Sequence, residues 1–407
     1  MRYTIKPPVL PLQGSIQLPA SKSISNRALI INALSYSNEE IRNLSDCDDT
    51  RVMVQALNSN GNTFDVGAAG TAMRFLTAFL SKIVGEWTIT GSERMKQRPI
   101  ALLVNALNSI GANIQYVEKE GFPPLRILGS ALEGGKITLD GGVSSQYISA
   151  LLMIAPTMEK GLTLTLTGTV ISKPYIALTL KIMSDFGVEA QWIGNTIKVK
   201  PQTYRPVSYT VESDWSAASY WYEILSLCGK GEVFLKGLQK NSPQGDAKLA
   251  ELFLNLGVRS SFKKDGVLLT ASGNYAPKLV YNFVDQPDIA QTVVVTSCLK
   301  AIPFRFSGLQ SLKIKETDRI AALINEMKKV GYVLKETTSG VLEWTGQRCT
   351  PDKEPIIKTY EDHRMAMAFA PAAFLCQVSI EEPQVVTKSY PTFWEDLKSV
   401  GFEIIEQ

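Results

Sequence analysis

The 407-residue chain is too long for one ordinary core, and its 45% hydrophobic fraction supplies material for two or three. Its 42 basic and 39 acidic residues leave a charge of +3 spread without runs, which argues against a nucleic-acid binder with a basic stripe. The start, MRYTIKPPVLP, lacks the apolar core of a signal peptide, and apolar stretches such as residues 148–156 fall far short of a membrane span, so a cytoplasmic protein is expected.

Five widely spaced cysteines, Cys47, Cys228, Cys298, Cys349 and Cys376, form no C-x-x-C pair and read as reduced core residues. The single histidine, His363, leaves no His-based metal cage. No metal or organic cofactor is expected.

Near the start, SKSISNR sets two cations and three hydroxyls ahead of RALIINAL, whose alanines and leucines favour helix. Serine hydroxyls and unpaired N–H groups at a helix start make an anion site. Five further segments follow in chain order with apolar or small residues on nearly every face: TAMRFLTAFL, YISALLMIA, SAASYWYEIL, IAQTVVVTSCL and RMAMAFAPAAFL. Helices without a polar face must be buried.

Alternating with these six, amphipathic segments close on Gly61, Gly111, Gly187, Gly257, Gly331 and Gly401, where a helix commonly turns left-handed. Short alternating stretches such as ANIQYVE and VEAQWIG come next and read as strands or hairpins. The alternation predicts six copies of one unit. The closing glycines are spaced by 50, 76, 70, 74 and 70 residues, long for a solenoid and suited to closed groups of three. The expected fold is α/β with two similar lobes: residues 19–212, and residues 1–18 together with 213–407, RYTIK joining the second. Such a pair could close on a ligand in a cleft between the lobes.

The helix starts share a chemistry. Arg98 and Lys388 lie thirteen residues before their closing glycines, Arg319 and Tyr175 twelve, and Ser172 and Lys315 fifteen and sixteen. Cations are disfavoured at a helix start by roughly 0.3–1 kcal/mol each, so their recurrence there calls for an anion opposite them. The starts of the buried helices are equally polar: Ser23 and Arg27, the GAAGT turn ending in Gly70-Thr71, Ser144-Ser145-Gln146, Asp288, and Asp362-His363-Arg364. Two carboxylates are embedded among them, Asp288 in VDQPDIAQT and Glu316 in IKETDRIA. Each alone would also suit a cap or an ion pair. Together, in different settings, they can divide acid and base roles.

Read together, SKSISNRAL, GAAGTAMRF, RMKQRP, VSSQYISALLM, SKPYI, ESDWSAASY, NSPQGD, IKETDR, EDHRMAMAF and TKSYPTFW resemble the 5-enolpyruvylshikimate-3-phosphate synthase family, from about Leu18 to Trp394. The KETDR and DHRMAMAF pair is the specific part. The resemblance implies two lobes of three βαβαββ units each. It also implies transfer of the enolpyruvyl group of phosphoenolpyruvate to the 5-hydroxyl of shikimate 3-phosphate, releasing phosphate through a tetrahedral intermediate. By position in the matching motifs, Lys22, Arg98, Arg319, Arg364 and Lys388 would surround phosphoenolpyruvate. Ser23, Arg27, Ser144, Ser145, Gln146, Ser172, Tyr175, Lys315 and Ser311 would hold shikimate 3-phosphate. Asp288 would accept the hydroxyl proton, and Glu316, with Lys22, would protonate the enol carbon. Gly70 would lie beside phosphoenolpyruvate. The partners expected are these small molecules, not nucleic acid or membrane, and a monomer is the expected state.

The chain departs from the family pattern at three places. Ala68 replaces the usual Asn of G-N-A-G-T, Ser311 the usual Asn before the KETD lysine, and Phe75 the usual Pro after TAMR. These bear on affinity more than on reaction type. With Gly70 retained, glyphosate, which competes with phosphoenolpyruvate in this family, is expected to bind. Two rival functions would leave different marks. The sister enzyme acting on a UDP-amino sugar should carry a reactive Cys in its first lobe, where this chain has only Cys47, flanked by acids. A silent binder of phosphorylated metabolites would gain nothing from Asp288 and Glu316.

Overall fold

The repeating unit runs β-α-β-α-β-β. In one copy Thr63–Asp65 pairs parallel with Gly85–Thr90 across the buried helix Gly70–Lys82, as a crossover connection requires. After the outer helix Ala101–Ser109, the hairpin strands Asn113–Tyr116 and Leu125–Gly129 add antiparallel to the same sheet. The computed structural model describes residues 1–36 and 38–407, and in it five such four-stranded sheets occur.

The first copy is reduced. It keeps the helices Lys22–Leu34 and Asp48–Asn58, but among the described residues its strand pairing is limited to Ile41–Arg42 with Tyr209–Thr210, two residues long. The chain passes from Gly61 almost directly into Thr63–Asp65 of the next copy. There is no length for a hairpin, which accounts for the short first interval between closing glycines.

By its contacts the chain divides into two compact units, Ala20–Val211, and Met1–Pro19 together with Glu212–Gln407. Pro19 and Glu212 go with the latter because the Asp214 N–H donates to the Pro19 carbonyl at 2.9 Å and the Ser213 hydroxyl to the Leu18 carbonyl at 3.4 Å. RYTIK is the strand Arg2–Lys6, which lies antiparallel between Val378–Glu381 and Glu403–Glu406.

Each unit has its own hydrophobic core, built around three of the helices that lack a polar face. In Ala20–Val211 these are Lys22–Leu34, Gly70–Lys82 and Ser145–Ile154; in the other they are Trp215–Cys228, Ala290–Leu299 and His363–Phe369. Every residue of Ala290–Leu299 and of His363–Phe369 is buried. A fully buried aliphatic or aromatic side chain contributes about 1.5–3 kcal/mol, so these helices carry much of the stability. Their hydroxyls turn back onto the helix: Thr296 donates to the Thr292 carbonyl at 2.7 Å and Ser297 to the Val293 carbonyl at 2.6 Å.

What fixes the helix starts is local capping. Ser21 accepts from the Ile24 N–H, Ser144 from Gln146, Asp214 from Ser216 and Ala217, Asp318 from Ile320 and Ala321, and Asp362 from Arg364. Each cap sets where the first-turn side chains of its helix emerge.

Candidate active site

The residues singled out by sequence fall into two sets, one on each unit. In Ala20–Val211, Lys22 and Ser23 open the helix Lys22–Leu34, with the Lys22 ammonium 3.8 Å from Asp49 Oδ2. Arg27, one turn further on, is 2% exposed and held on every side. Its Nε donates to Thr179 Oγ1 at 2.7 Å, Nη1 to the Ser23 carbonyl at 2.8 Å and Nη2 to Ser149 Oγ at 3.1 Å. Its guanidinium also stands over the ring of Phe75, 5.3 Å from the centroid. Burial lowers its pKa to about 10, opposed in part by Tyr175.

Gly70 starts the helix Gly70–Lys82. A Cβ there would fall 2.6 Å from Arg98 Nη1 and 2.8 Å from Arg74 Nη1, so the absence of a side chain is what lets two guanidinium groups approach this helix start. The loop bearing Arg98 is anchored next door, where the Tyr147 hydroxyl donates to the Pro99 carbonyl. Ser144 caps Ser145–Ile154, and Gln146 in its first turn donates to Thr71 Oγ1 at 3.1 Å. Ser172 precedes Lys173–Asp185 in left-handed backbone, φ 54°, with no capping bond from its side chain. A serine held there is strained and points to a functional constraint. Tyr175 lies in the first turn of that helix.

The second set converges on Arg319, the first residue of the helix Arg319–Lys329 and 2% exposed. Its Nε donates to Asp362 Oδ2 at 2.6 Å, and its Nη2 to Glu316 Oε2 at 2.9 Å and Asp362 Oδ1 at 3.4 Å. Its Nη1 reaches Asp288 Oδ1 at 3.5 Å. Asp288 also lies 3.7 Å from the Lys315 ammonium and 3.3 Å from Arg364 Nη2. Burial opposes the charge on Arg319, but Asp362 and Glu316 more than offset it and hold the guanidinium above its ordinary value. Desolvation pushes the Lys315 ammonium below its ordinary value, with Asp288 acting against it.

Lys388 ends the 3-10 turn Pro383–Lys388 and donates to the Glu361 carbonyl at 2.7 Å, beside Asp362. Ser311 lies in the 3-10 turn Gln310–Ile314 that runs into Lys315. Thus Asp288, Lys315, Glu316, Arg319 and Arg364 form one charge cluster, while Lys388 reaches its border through a backbone carbonyl.

Sequence reasoning passed over several partners. Asp362, fully buried, is the principal counter-ion of Arg319; the sequence places it at a helix start in EDHR without pointing to Arg319. Thr179 and Ser149 hold Arg27 from other helices, and no local spacing announces them. Asp49 lies in the SDCDDT segment, where nothing local points to its contact with Lys22. Cys47 itself is fully buried, and burial pushes its thiol above the ordinary value, with Lys22 acting against the shift. An inert thiol does not suit the sister enzyme's reactive cysteine.

These arrangements, cations with carboxylates beside them at helix starts, suit the handling of small anions and protons. The sequence model of the family EPSP synthase (3-phosphoshikimate 1-carboxyvinyltransferase) matches residues 7–64 and 57–397. A 3-phosphoshikimate 1-carboxyvinyltransferase of Bacteroides fragilis is 57% identical over 406 residues, 99% of each chain. One from Vibrio campbellii is 35% identical, covering 97% of this chain and 98% of its own. Among solved structures, an EPSP synthase from Acinetobacter baumannii superposes with a TM-score of 0.79 over 100% of both chains at 20% identity, a likeness of fold. With matches of this extent to a protein family and to its curated members, the chain belongs to the EPSP synthase family.

Proposed function

We propose a division of labour among these residues for the family's reaction, transfer of the enolpyruvyl group of phosphoenolpyruvate to the 5-hydroxyl of shikimate 3-phosphate. Asp288 takes the hydroxyl proton, and the freed oxygen adds to C2 of phosphoenolpyruvate while Glu316, with Lys22, delivers a proton to C3. The resulting tetrahedral adduct loses a proton from C3 and expels phosphate, leaving the enolpyruvyl ether. Lys22, Arg98, Arg319, Arg364 and Lys388 neutralise phosphoenolpyruvate. Ser23, Arg27, Ser144, Ser145, Gln146, Ser172, Tyr175, Ser311 and Lys315 hold shikimate 3-phosphate.

The physical case is that both substrates are anions that repel one another. Forked guanidinium donors can neutralise carboxylate and phosphate while fixing their orientation. The observation that carries the reading is Arg319, a buried guanidinium in contact with both Asp288 and Glu316. One cation thereby ties the proposed base to the proposed acid. A receptor that only bound anions would lose affinity by keeping two carboxylates beside its cations.

The test is phosphate release by the purified protein, which should require both substrates. Asp288→Asn and Glu316→Gln should lose turnover by about 100-fold or more while still binding shikimate 3-phosphate. Full turnover in Asp288→Asn would overturn the assignment. On the same reading glyphosate competes with phosphoenolpyruvate, because no side chain at Gly70 blocks the approach beside Arg98. An inhibition curve flat at millimolar glyphosate would refute this. We also read the protein as a cytoplasmic monomer; among the described residues no helix is long and apolar enough to cross a membrane. Sedimentation as a dimer at assay concentration would correct that state.

A further inference from the structure

Tyr360 and Glu361, two consecutive residues with side chains, hold left-handed backbone at φ 54° and 56°. Each costs about 1–2 kcal/mol relative to the right-handed form, and such residues persist only where their surroundings over-determine them. The next residues are Asp362, His363 and Arg364. The strained pair therefore aims the segment that grips Arg319 and reaches Asp288.

Much of what holds the pair traces to Glu326. This residue is 1% exposed and lies seven positions after Arg319, two turns along the same helix and on the same face. Its Oε1 accepts from the Tyr360 hydroxyl at 2.7 Å, and its Oε2 from the Lys358 N–H at 3.0 Å and the Lys329 ammonium at 2.6 Å. Lys329 also donates to the Ile356 carbonyl at 2.8 Å. One helix face thus grips the incoming chain twice, at Tyr360 through Glu326 and at Asp362 through Arg319. Burial, reinforced by the Glu326 carboxylate, pushes the Tyr360 hydroxyl up to about 12, so it remains a donor at neutral pH. The carbonyl of the second strained residue, Glu361, is the acceptor for Lys388.

We propose that Glu326 is a positioning residue for the reaction, locking Tyr360 and Glu361 in left-handed backbone so that Arg364 and Lys388 are held for phosphoenolpyruvate. The proposal rests on the assignment of those two cations to phosphoenolpyruvate made above. Glu326 itself touches no reacting group. Its contribution passes through the Tyr360 hydroxyl and the Lys358 amide. A carboxylate is needed for both, because an amide offers one acceptor oxygen where two are used.

The experiment is steady-state kinetics on the full chain, with KM measured separately for each substrate in Glu326→Gln and Tyr360→Phe. Both variants should raise the KM for phosphoenolpyruvate about tenfold or more and leave that for shikimate 3-phosphate within about twofold. Adding Glu361→Gly to Tyr360→Phe should recover part of the loss, since glycine adopts this backbone without the clamp. Unchanged KM for phosphoenolpyruvate in folded Tyr360→Phe would overturn the proposal. So would an equal rise in both KM values, which is the mark of general loosening. Should Glu326→Gln fail to fold, Tyr360→Phe decides alone. Loss of turnover in Asp288→Asn with normal kinetics in Tyr360→Phe would refute the clamp and spare the site assignment. Full turnover in Asp288→Asn would sink the assignment instead.

Discussion

Asp362→Asn tests the grip on Arg319 most directly. The amide keeps the shape of the carboxylate, and its oxygen can still accept from the Arg364 N–H, which now reaches Asp362 Oδ1 at 2.9 Å. Its NH2 group then replaces Oδ2, the acceptor of Arg319 Nε at 2.6 Å, and two donors face each other in a site where the partners are 0% and 2% exposed. Removing one member of a buried ion pair costs about 3–5 kcal/mol. The lower end applies here, because Glu316 and Asp288 remain beside Arg319 at 2.9 and 3.5 Å. At roughly 2–4 °C per kcal/mol for a unit of roughly 200 residues, the unit containing Arg319 should unfold about 6–12 °C earlier by calorimetry. The ratio kcat/KM for phosphoenolpyruvate should fall with it. A shift under about 2 °C would mean that Asp362 is not the counter-ion that keeps Arg319 folded into the site, and the reasoning would fail.

Three further outcomes follow from other contacts. Gly70→Ala places a Cβ 2.6 Å from Arg98 Nη1 and must move that guanidinium toward ordinary contact at 3.4 Å or more. The Arg98 tip can give way, but the buried Arg74 guanidinium, 2.8 Å from the same Cβ, must shift too, so thermal unfolding should come slightly earlier while initial rates should show the KM for phosphoenolpyruvate raised about 10- to 100-fold. Phe75→Leu removes the ring under Arg27, a loss of about 0.5–2 kcal/mol, and should raise the KM for shikimate 3-phosphate about 2- to 30-fold in the same assay. Glu223, fully buried in Trp215–Cys228, has its carboxyl pushed well up by burial, with Thr296 acting against the shift. The folded state therefore binds this proton more tightly than the unfolded chain, and its stabilising effect, complete below the ordinary carboxylate range, is lost as pH rises from there toward the raised value. Denaturation across pH 4–8 should show Glu223→Gln declining less steeply than the parent, by up to about 1.4 kcal/mol per pH unit. Parallel curves would refute it.

How far the sequence could be read depends on the range of the interaction. The buried helices were legible because an all-apolar pattern such as IAQTVVVTSCL leaves no face for water, and Ala290–Leu299 is buried throughout. The helix starts were legible because capping is local: Asp318 and Asp362 act on residues two or three positions away. The 50-residue first interval carried the missing hairpin, yet a count does not say which strands are absent. Contacts between distant segments were not legible. Asp362 meets Arg319 across 43 residues and Arg27 meets Thr179 across 152, and nothing in either neighbourhood names the other. The left-handed Tyr360 and Glu361 were hidden for another reason: neither residue type advertises that backbone, and only Glu326 and its neighbours make it tolerable.

The strand Arg2–Lys6 finds its neighbours only at Val378–Glu381 and Glu403–Glu406, and Leu12–Gln17 pairs with Gly231–Lys236. On the ribosome, therefore, Arg2–Lys6 is made well before the strands that pair with it. At about 5–20 residues per second Leu12–Gln17 waits about ten seconds or more for Gly231–Lys236, and Arg2–Lys6 on the order of twenty seconds or more for Val378–Glu381. Ala20–Val211, whose sheets use only their own strands, can be complete long before then. Newborn chains thus carry a finished half tethered to two unpaired edges, and it is those edges that a chaperone would have to shield.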